Sequence, residues 1–222
     1  MNTTTFSPNV SAAIRSHGVR LDDSPPDYDA AENAARAYAA REGATYISPY
    51  NHPDVIAGAG TVALEILEAM PDLDVLVVPL GGGGLAAGMS LALKAAAPRV
   101  QIVGVEAEAS TPFAIGVARG GITTIDPQPS IADGLTGNLE PESITFELVR
   151  RHVDRFVAVS EPALEDAIRG LARDEHLVTE GAGAAATAAV LSRAVVPAGA
   201  RAAVMVTGAN IDLARFASIV TR

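Results

Sequence analysis

The stretch Asp74–Gly88, DVLVVPLGGGGLAAG, is an apolar run that ends in four consecutive glycines and passes into an alanine-rich segment. The run before the glycines has the length and branched content of a buried strand, and the segment from Gly84 onward has the composition of a helix. With 20 glycines in 222 residues, chance does not account for four in a row. A tight turn that needs positive φ is satisfied by one or two. Four suit ligand binding better, because without Cβ atoms the backbone approaches a ligand closely, and the helix N-terminus adds unpaired N–H groups and a partial positive charge. Phosphate is the guest that such a junction favours.

On the C-terminal side, the helix is expected to run through Lys94 to Ala97, followed by the buried strand VQIVGVE at Val100–Glu106. Strand, helix and strand in this span make a βαβ unit, which implies parallel pairing and a right-handed crossover. On the N-terminal side, Val55–Met70 reads as a helix ended by Pro71. Further upstream, Val10–Gly18 and Ala30–Glu42 read as helices, the second with Asp27 or Asp29 as N-cap, and Val19–Leu21 and ATYIS at Ala44–Ser48 read as short strands. Two thin strands do not make a stable sheet alone, so residues 1–50 look like half of a small domain, and 51–222 like a large one.

Ala107–Arg155 has weak periodicity and reads as a long segment wrapped around a site, with IADGLTGNLEP as a loop. Phe156–Val159 is a strand, Glu161–Asp174 a helix with Pro162 in its first turn, EGAGAAATAAVL a small-residue loop opening a helix, and Ala202–Val206 a last strand running into TGAN. Asn210–Val220 closes the chain as a helix. The fold class is α/β, a parallel twisted sheet flanked by helices.

Composition narrows the function. The chain has 49% hydrophobic residues, which supports a substantial core, and a formal charge of −10, which disfavours nucleic acid as partner. No apolar run reaches the length of a membrane span, and MNTTTFSP lacks the features of a signal peptide, so the chain reads as cytoplasmic. It has no cysteine. His17, His52, His152 and His176 show no metal-ligand spacing and default to surface or cap roles, and no G-x-S-x-G elbow supports a hydrolase. A dinucleotide fingerprint is the rival to the simple phosphate cradle. Gly81, Gly83 and Ala86 fit G-x-G-x-x-A, and Glu106 ends the next strand about 20 residues on. On spacing alone both readings stand.

VIAGAGTVALEIL, VVPLGGGGLAAG, VGVEAE, IADGL, EGAGAAA and VTGAN occur in an order and spacing that resemble the fold-type II pyridoxal-phosphate enzymes, the threonine and serine dehydratase and serine racemase family. The resemblance implies a tryptophan-synthase-β-like fold, pyridoxal 5'-phosphate (PLP) as cofactor, and conversion of a hydroxy-amino acid to a 2-oxo acid and ammonia. It implies that Gly81, Gly82, Gly83, Gly84 and the N–H of Leu85 hold the cofactor phosphate, that the Thr207 hydroxyl pairs with the pyridine nitrogen, that Gly134 touches the cofactor ring by its backbone, and that Glu180 is an acid near the cofactor. A helix N-terminal acid complementing the dipole accounts for Glu180 as well, and the two roles are compatible.

Two positions depart from the family. Some members bind a divalent cation through positions that here are Glu106, Ser110 and Pro112; proline has no ligand to give, so no metal site is expected and Glu106 reads as a strand-end acid. The family also holds its cofactor through a lysine in an upstream S-x-K motif, and the only lysine here is Lys94. It lies ten residues into the helix that follows the glycines, about 15 Å along the axis from the phosphate end, and reads as a solvated helix residue. No residue is therefore assigned as catalytic. Three readings follow. The first is the C-terminal portion of a dehydratase-like lyase, inactive without a lysine-bearing N-terminal fragment. The second is a phosphate- or PLP-binding subunit without turnover, and the third a nicotinamide-dependent oxidoreductase. The expected partners are an amino-acid substrate in the complete enzyme and further copies in a homo-oligomer.

Overall fold

Leu76 and Val78 are buried with one set of helices, and their neighbours Val75 and Val77 with another. A strand covered on both faces must be apolar throughout, and VLVVP is. In the computed structural model, which describes residues 8–26, 28–192 and 195–222, four strands form one parallel sheet: β1 (Val75–Pro79), β2 (Gln101–Ala107), β3 (Arg155–Val159) and β4 (Ala202–Val204), in the order β3-β2-β1-β4. Val75 pairs with Gln101 on one side and Ala202 on the other.

The helices are α1 (Pro8–Ser16), α2 (Tyr28–Glu42), α3 (Pro53–Ala69), α4 (Gly84–Ala96), α5 (Pro112–Arg119), α6 (Ile144–His152), α7 (Glu161–Asp174), α8 (Gly181–Leu191) and α9 (Leu213–Val220). One core joins Leu76, Val78 and Ile102 to Ile56 and Ala63 of α3, Met89 and Leu93 of α4, Phe113 of α5 and Phe146 of α6. The other joins Val75, Val77, Val103 and Val105 to Leu164 and Ile168 of α7, the alanines of α8 and Ile219 of α9. Among the described residues, no helix is long and apolar enough to cross a membrane.

Local chemistry sets the helix ends. The Nδ1 of His52 caps α3 by accepting from the Asp54 N–H at 3.2 Å, with Pro53 in the first turn, so the cap role expected of a histidine falls to this one. Ser160 caps α7, and Asp212 caps α9 by accepting from Ala214 and Arg215. The last helix therefore starts at Leu213, not Asn210. Asp27 lies outside the described residues, and Asp29 sits inside the first turn of α2.

The N-terminal segment differs from expectation. Val19–Leu21 and Ala44–Ser48 are not strands. A strand exists by pairing, and neither segment pairs with a strand among the described residues; Val19 and Ile47 are 53% and 64% exposed. The segment between β2 and β3 holds more structure than its periodicity suggests: α5, a 3-10 turn at Asp133–Leu135, and α6.

Candidate functional site

The parallel sheet places the C-terminal ends of all four strands on one edge, where an open α/β sheet binds its ligands. Two of them frame the site. After β1, Leu80 donates to Val105 O at 2.7 Å, and the chain then leaves the sheet through Gly81–Gly83 into α4. Gly83 is the N-cap, with φ +85°, a conformation that glycine adopts without strain. The N–H groups of Gly81, Gly82, Gly83, Gly84 and Leu85 have no protein acceptor among the described residues. Five consecutive free donors at a helix N-terminus form an anion cradle.

The glycines are demanded by protein neighbours. A Cβ on Gly82 would lie 2.4 Å from the ring of Tyr50, one on Gly83 2.5 Å from Phe113 Cζ, and one on Gly84 2.9 Å from the Tyr50 backbone. A Cβ on Gly81 would lie 3.0 Å from Gly134 O, so Gly134 packs directly against the loop, and its own α-carbon faces Ala182 of α8. The segment leading to Gly134 is anchored by Glu161, which accepts from the Ser130 hydroxyl and, at 2.9 Å, from the Ile131 N–H.

The second frame is β4 and the loop TGAN. The β1–β4 pairing ends with Val77 beside Val204, and the chain then leaves the sheet through Met205 and Val206 into this loop. Thr207 is exposed, and its hydroxyl has no partner among the described residues. Glu180 occupies the N-cap position of α8, but its side chain does not cap that helix. Its carboxylate accepts from the Asn210 N–H at 3.0 Å, while its own N–H donates to Gly208 O at 3.0 Å. A Cβ on Gly208 would collide with Glu180 Oε1 at 1.9 Å, and one on Gly183 with Gly208 O at 2.4 Å. Glu180 thus moulds the TGAN loop against α8, and burial pushes its carboxyl above the usual value. Gly81–Leu85, Gly134, Glu180 and Thr207 all gather on this one edge.

Glu106 is fully buried, and both carboxylate oxygens accept from the first turn of α5, from Phe113 N at 2.8 Å and Ala114 N at 3.0 Å. It is an N-terminal anchor for α5, reaching from the end of β2. Burial raises its carboxyl from 4.5 to about 7, against the pull of those two N–H groups. Between these values the unfolded chain has lost the proton that the folded chain keeps, so stability falls as pH rises from about 4.5 to about 7, by roughly 3 kcal/mol in all. Urea unfolding at pH 5 and pH 8 is expected to show this loss and Glu106→Gln to remove most of it; an equal loss in the variant would refute the assignment.

Lys94 is not a solvated residue. Its ammonium donates to Val100 O at 2.9 Å and pairs with Asp154 at 2.8 Å, and Asp154 also accepts from Ile102 N. The pair ties the end of α4 to β2 and β3 at the opposite edge of the sheet from the glycines. Sequence reasoning missed Tyr50, Thr145 and Glu140, which pack on or behind the loop. Tyr50 and Thr145 meet Gly82 from 32 and 63 positions away, and Glu140 meets Tyr50 from 90, which leaves no local signal.

The model of one protein family, described as "Pyridoxal-phosphate dependent enzyme", matches residues 2–208. The chain belongs to that family. Among curated relatives of this pyridoxal-phosphate family protein, the L-threonine ammonia-lyase of Thermotoga maritima is 42% identical over 186 residues, covering 84% of this chain and 46% of the relative. Maize serine racemase superposes with a TM-score of 0.83 at 30% identity, over 95% of this chain and 66% of that one. The serine racemase of Dictyostelium discoideum gives 0.79 at 25% identity, over 93% and 67%. The chain spans about half the length of the curated relatives it matches.

The site fits one end of PLP. Free N–H groups in a side-chain-free loop suit its phosphate, and a hydroxyl without a protein partner among the described residues, that of Thr207, suits a ring nitrogen. No amine stands at this edge among the described residues, because the one lysine is engaged at the other.

Proposed function

We propose that this chain is the PLP-cradling portion of a threonine/serine dehydratase-like ammonia-lyase, which turns a hydroxy-amino acid into a 2-oxo acid and ammonia. The observation that carries the reading is the row of five acceptor-free N–H groups from Gly81 to Leu85, with Gly134 packed against it. The curated relatives named for threonine chemistry support the substrate class. In this reading Gly81–Gly84 and Leu85 hold the phosphate, Thr207 donates to or accepts from the pyridine nitrogen, Gly134 borders the ring, and Glu180 keeps the TGAN loop in place. A neutral hydroxyl at the nitrogen leaves that nitrogen's protonation unforced, which suits elimination. When bound, PLP supplies the electron sink for the electrons released at the substrate Cα. The proposed organisation is a partial small domain at 1–50 and a large domain at 51–222, working in the cytoplasm as a homo-oligomer.

A second reading, a binding subunit without turnover, is favoured by one observation: Lys94 is bound to Asp154 and Val100, away from the cradle. One experiment separates them. The 222-residue chain is mixed with PLP and threonine, with and without a lysine-bearing N-terminal fragment of a related threonine ammonia-lyase, and 2-oxo acid is measured. The expected result is no product and no change in PLP absorption from the chain alone, and product with the fragment present. Turnover by the chain alone would overturn the assignment of the missing amine, and failure of every fragment to restore product would favour the binding subunit. Tight NADH binding that no phosphate ester displaces would overturn both.

A further inference from the structure

Against the glycine loop at Gly82 lies a buried polar cluster that the cofactor reading does not use. Glu140 is 8% exposed. One carboxylate oxygen accepts from the Ser48 hydroxyl at 2.8 Å; the other accepts from Asn51 Nδ2 at 2.6 Å and from Arg36 of α2. Its backbone N–H donates to the Tyr50 hydroxyl at 2.9 Å, and Asn51 Oδ1 accepts from Ile144 N at 2.9 Å. Three residues past Glu140, the Ser143 hydroxyl bonds to that of Thr145 at 2.7 Å, and Thr145 donates to Gly82 O at 2.7 Å. Burial alone would raise the Glu140 carboxyl, but its neighbours Glu32, Asn51, Ser48 and Arg36 together hold it below its usual value, and hydrogen bonds from the last three satisfy its oxygens.

The cluster touches the loop at two points. The Tyr50 ring occupies the space that a Gly82 side chain would need, and Thr145 grips the Gly82 carbonyl. A carbonyl fixed on one side of a peptide fixes the direction of the N–H on the other, because the peptide unit is planar. Gripping Gly82 O therefore sets where the Gly83 N–H points, and the ring of Tyr50 sets how far the loop sinks.

We propose that Glu140, Thr145 and Tyr50 form a clamp that sets the aperture of the anion cradle, with Glu140 and Thr145 as positioning residues for phosphate. The clamp deepens the cofactor reading and rests on it. Through Arg36 and Ser48 it also makes the cradle depend on how α2 and the segment that follows it dock.

The test is calorimetric binding of inorganic phosphate to the 222-residue chain and to E140Q, T145V and T145S, with thermal unfolding of each. T145V keeps the shape of the side chain and loses the bond to Gly82 O, while T145S keeps the hydroxyl. E140Q and T145V are each expected to bind phosphate at least about fivefold more weakly, the worth of one hydrogen bond, and T145S to bind like the parent. If E140Q does not fold, the threonine pair alone decides. Equal affinity of the parent and both loss variants would overturn the clamp and leave the cofactor reading intact, as would T145S binding as weakly as T145V. Absence of phosphate binding by the parent chain would overturn the cofactor reading and the clamp with it.

Discussion

Gly88→Ala is expected to cost the fold at least about 3 kcal/mol, enough to remove much of the stability of an ordinary domain. An added Cβ would stand 2.1 Å from Ile56 O, 2.8 Å from Gly60 N and 2.9 Å from Ala59 Cβ, and two of these three atoms are backbone in the interior of α3. A flexible side chain gives way to a methyl group, but a helix backbone moves only as a whole. The partner glycine makes the same point from the other side, since a Cβ on Gly60 would meet Gly88 O at 3.1 Å. Helices α3 and α4 thus cross backbone to backbone, and α4 carries the glycine loop on its N-terminus. Gly58, also within α3, has nothing within 4 Å of its missing Cβ, so Gly58→Ala is expected to stabilise by about 0.5–1 kcal/mol. Urea unfolding of the two variants tests the pair. A Gly88→Ala chain as stable as its parent would show that the crossing is looser than described.

Gly83→Ala is expected to reduce phosphate affinity more than tenfold while the chain still folds. Two effects combine at this position. The φ of +85° costs an alanine about 1–2 kcal/mol, and the new methyl would lie 2.5 Å from Phe113 Cζ and 3.0 Å from Thr145 Oγ1. The loop relieves both by rotating its peptides, which turns the free N–H groups away from a common point. Gly120 separates the contributions. It has φ +81° at the C-cap of α5 but nothing within 4 Å, so Gly120→Ala pays only the backbone strain and leaves phosphate binding unchanged. Calorimetry with inorganic phosphate reads the difference, and equal affinity in the parent and Gly83→Ala would exclude the loop as the phosphate site.

The elements around the glycines were legible because each carried its own signal. β1 is apolar on both faces, α4 follows a glycine cap, and α7 is announced by Ser160, Glu161 and Pro162. The residues that resemblance assigned to the cofactor also gather at one edge of the sheet. What could not be read was whatever depends on a distant partner. Ala44–Ser48 has the residue types of a strand, yet what it meets is Glu140, through the Ser48 hydroxyl. Lys94 looks like any exposed helix lysine until Asp154, sixty positions on, is brought beside it. Helices α5 and α6 did carry signals, Pro112 with Gly120 and Ser143 with its following apolar residues, but they were lost in a segment dominated by turn residues. Glu106 gave the correct place, the end of a strand, and no hint that it would anchor the helix after it.

The glycine loop offers a ligand main-chain N–H groups alone, while the faces where side chains would project are filled by Tyr50, Phe113, Thr145 and Leu135. A site of this kind has no side chain of its own to exchange. The preference for phosphate proposed for it would follow from the path of the backbone, so variation at the loop would either preserve that preference or destroy the loop. Graded adjustment of affinity has to come from the surrounding residues that press on it.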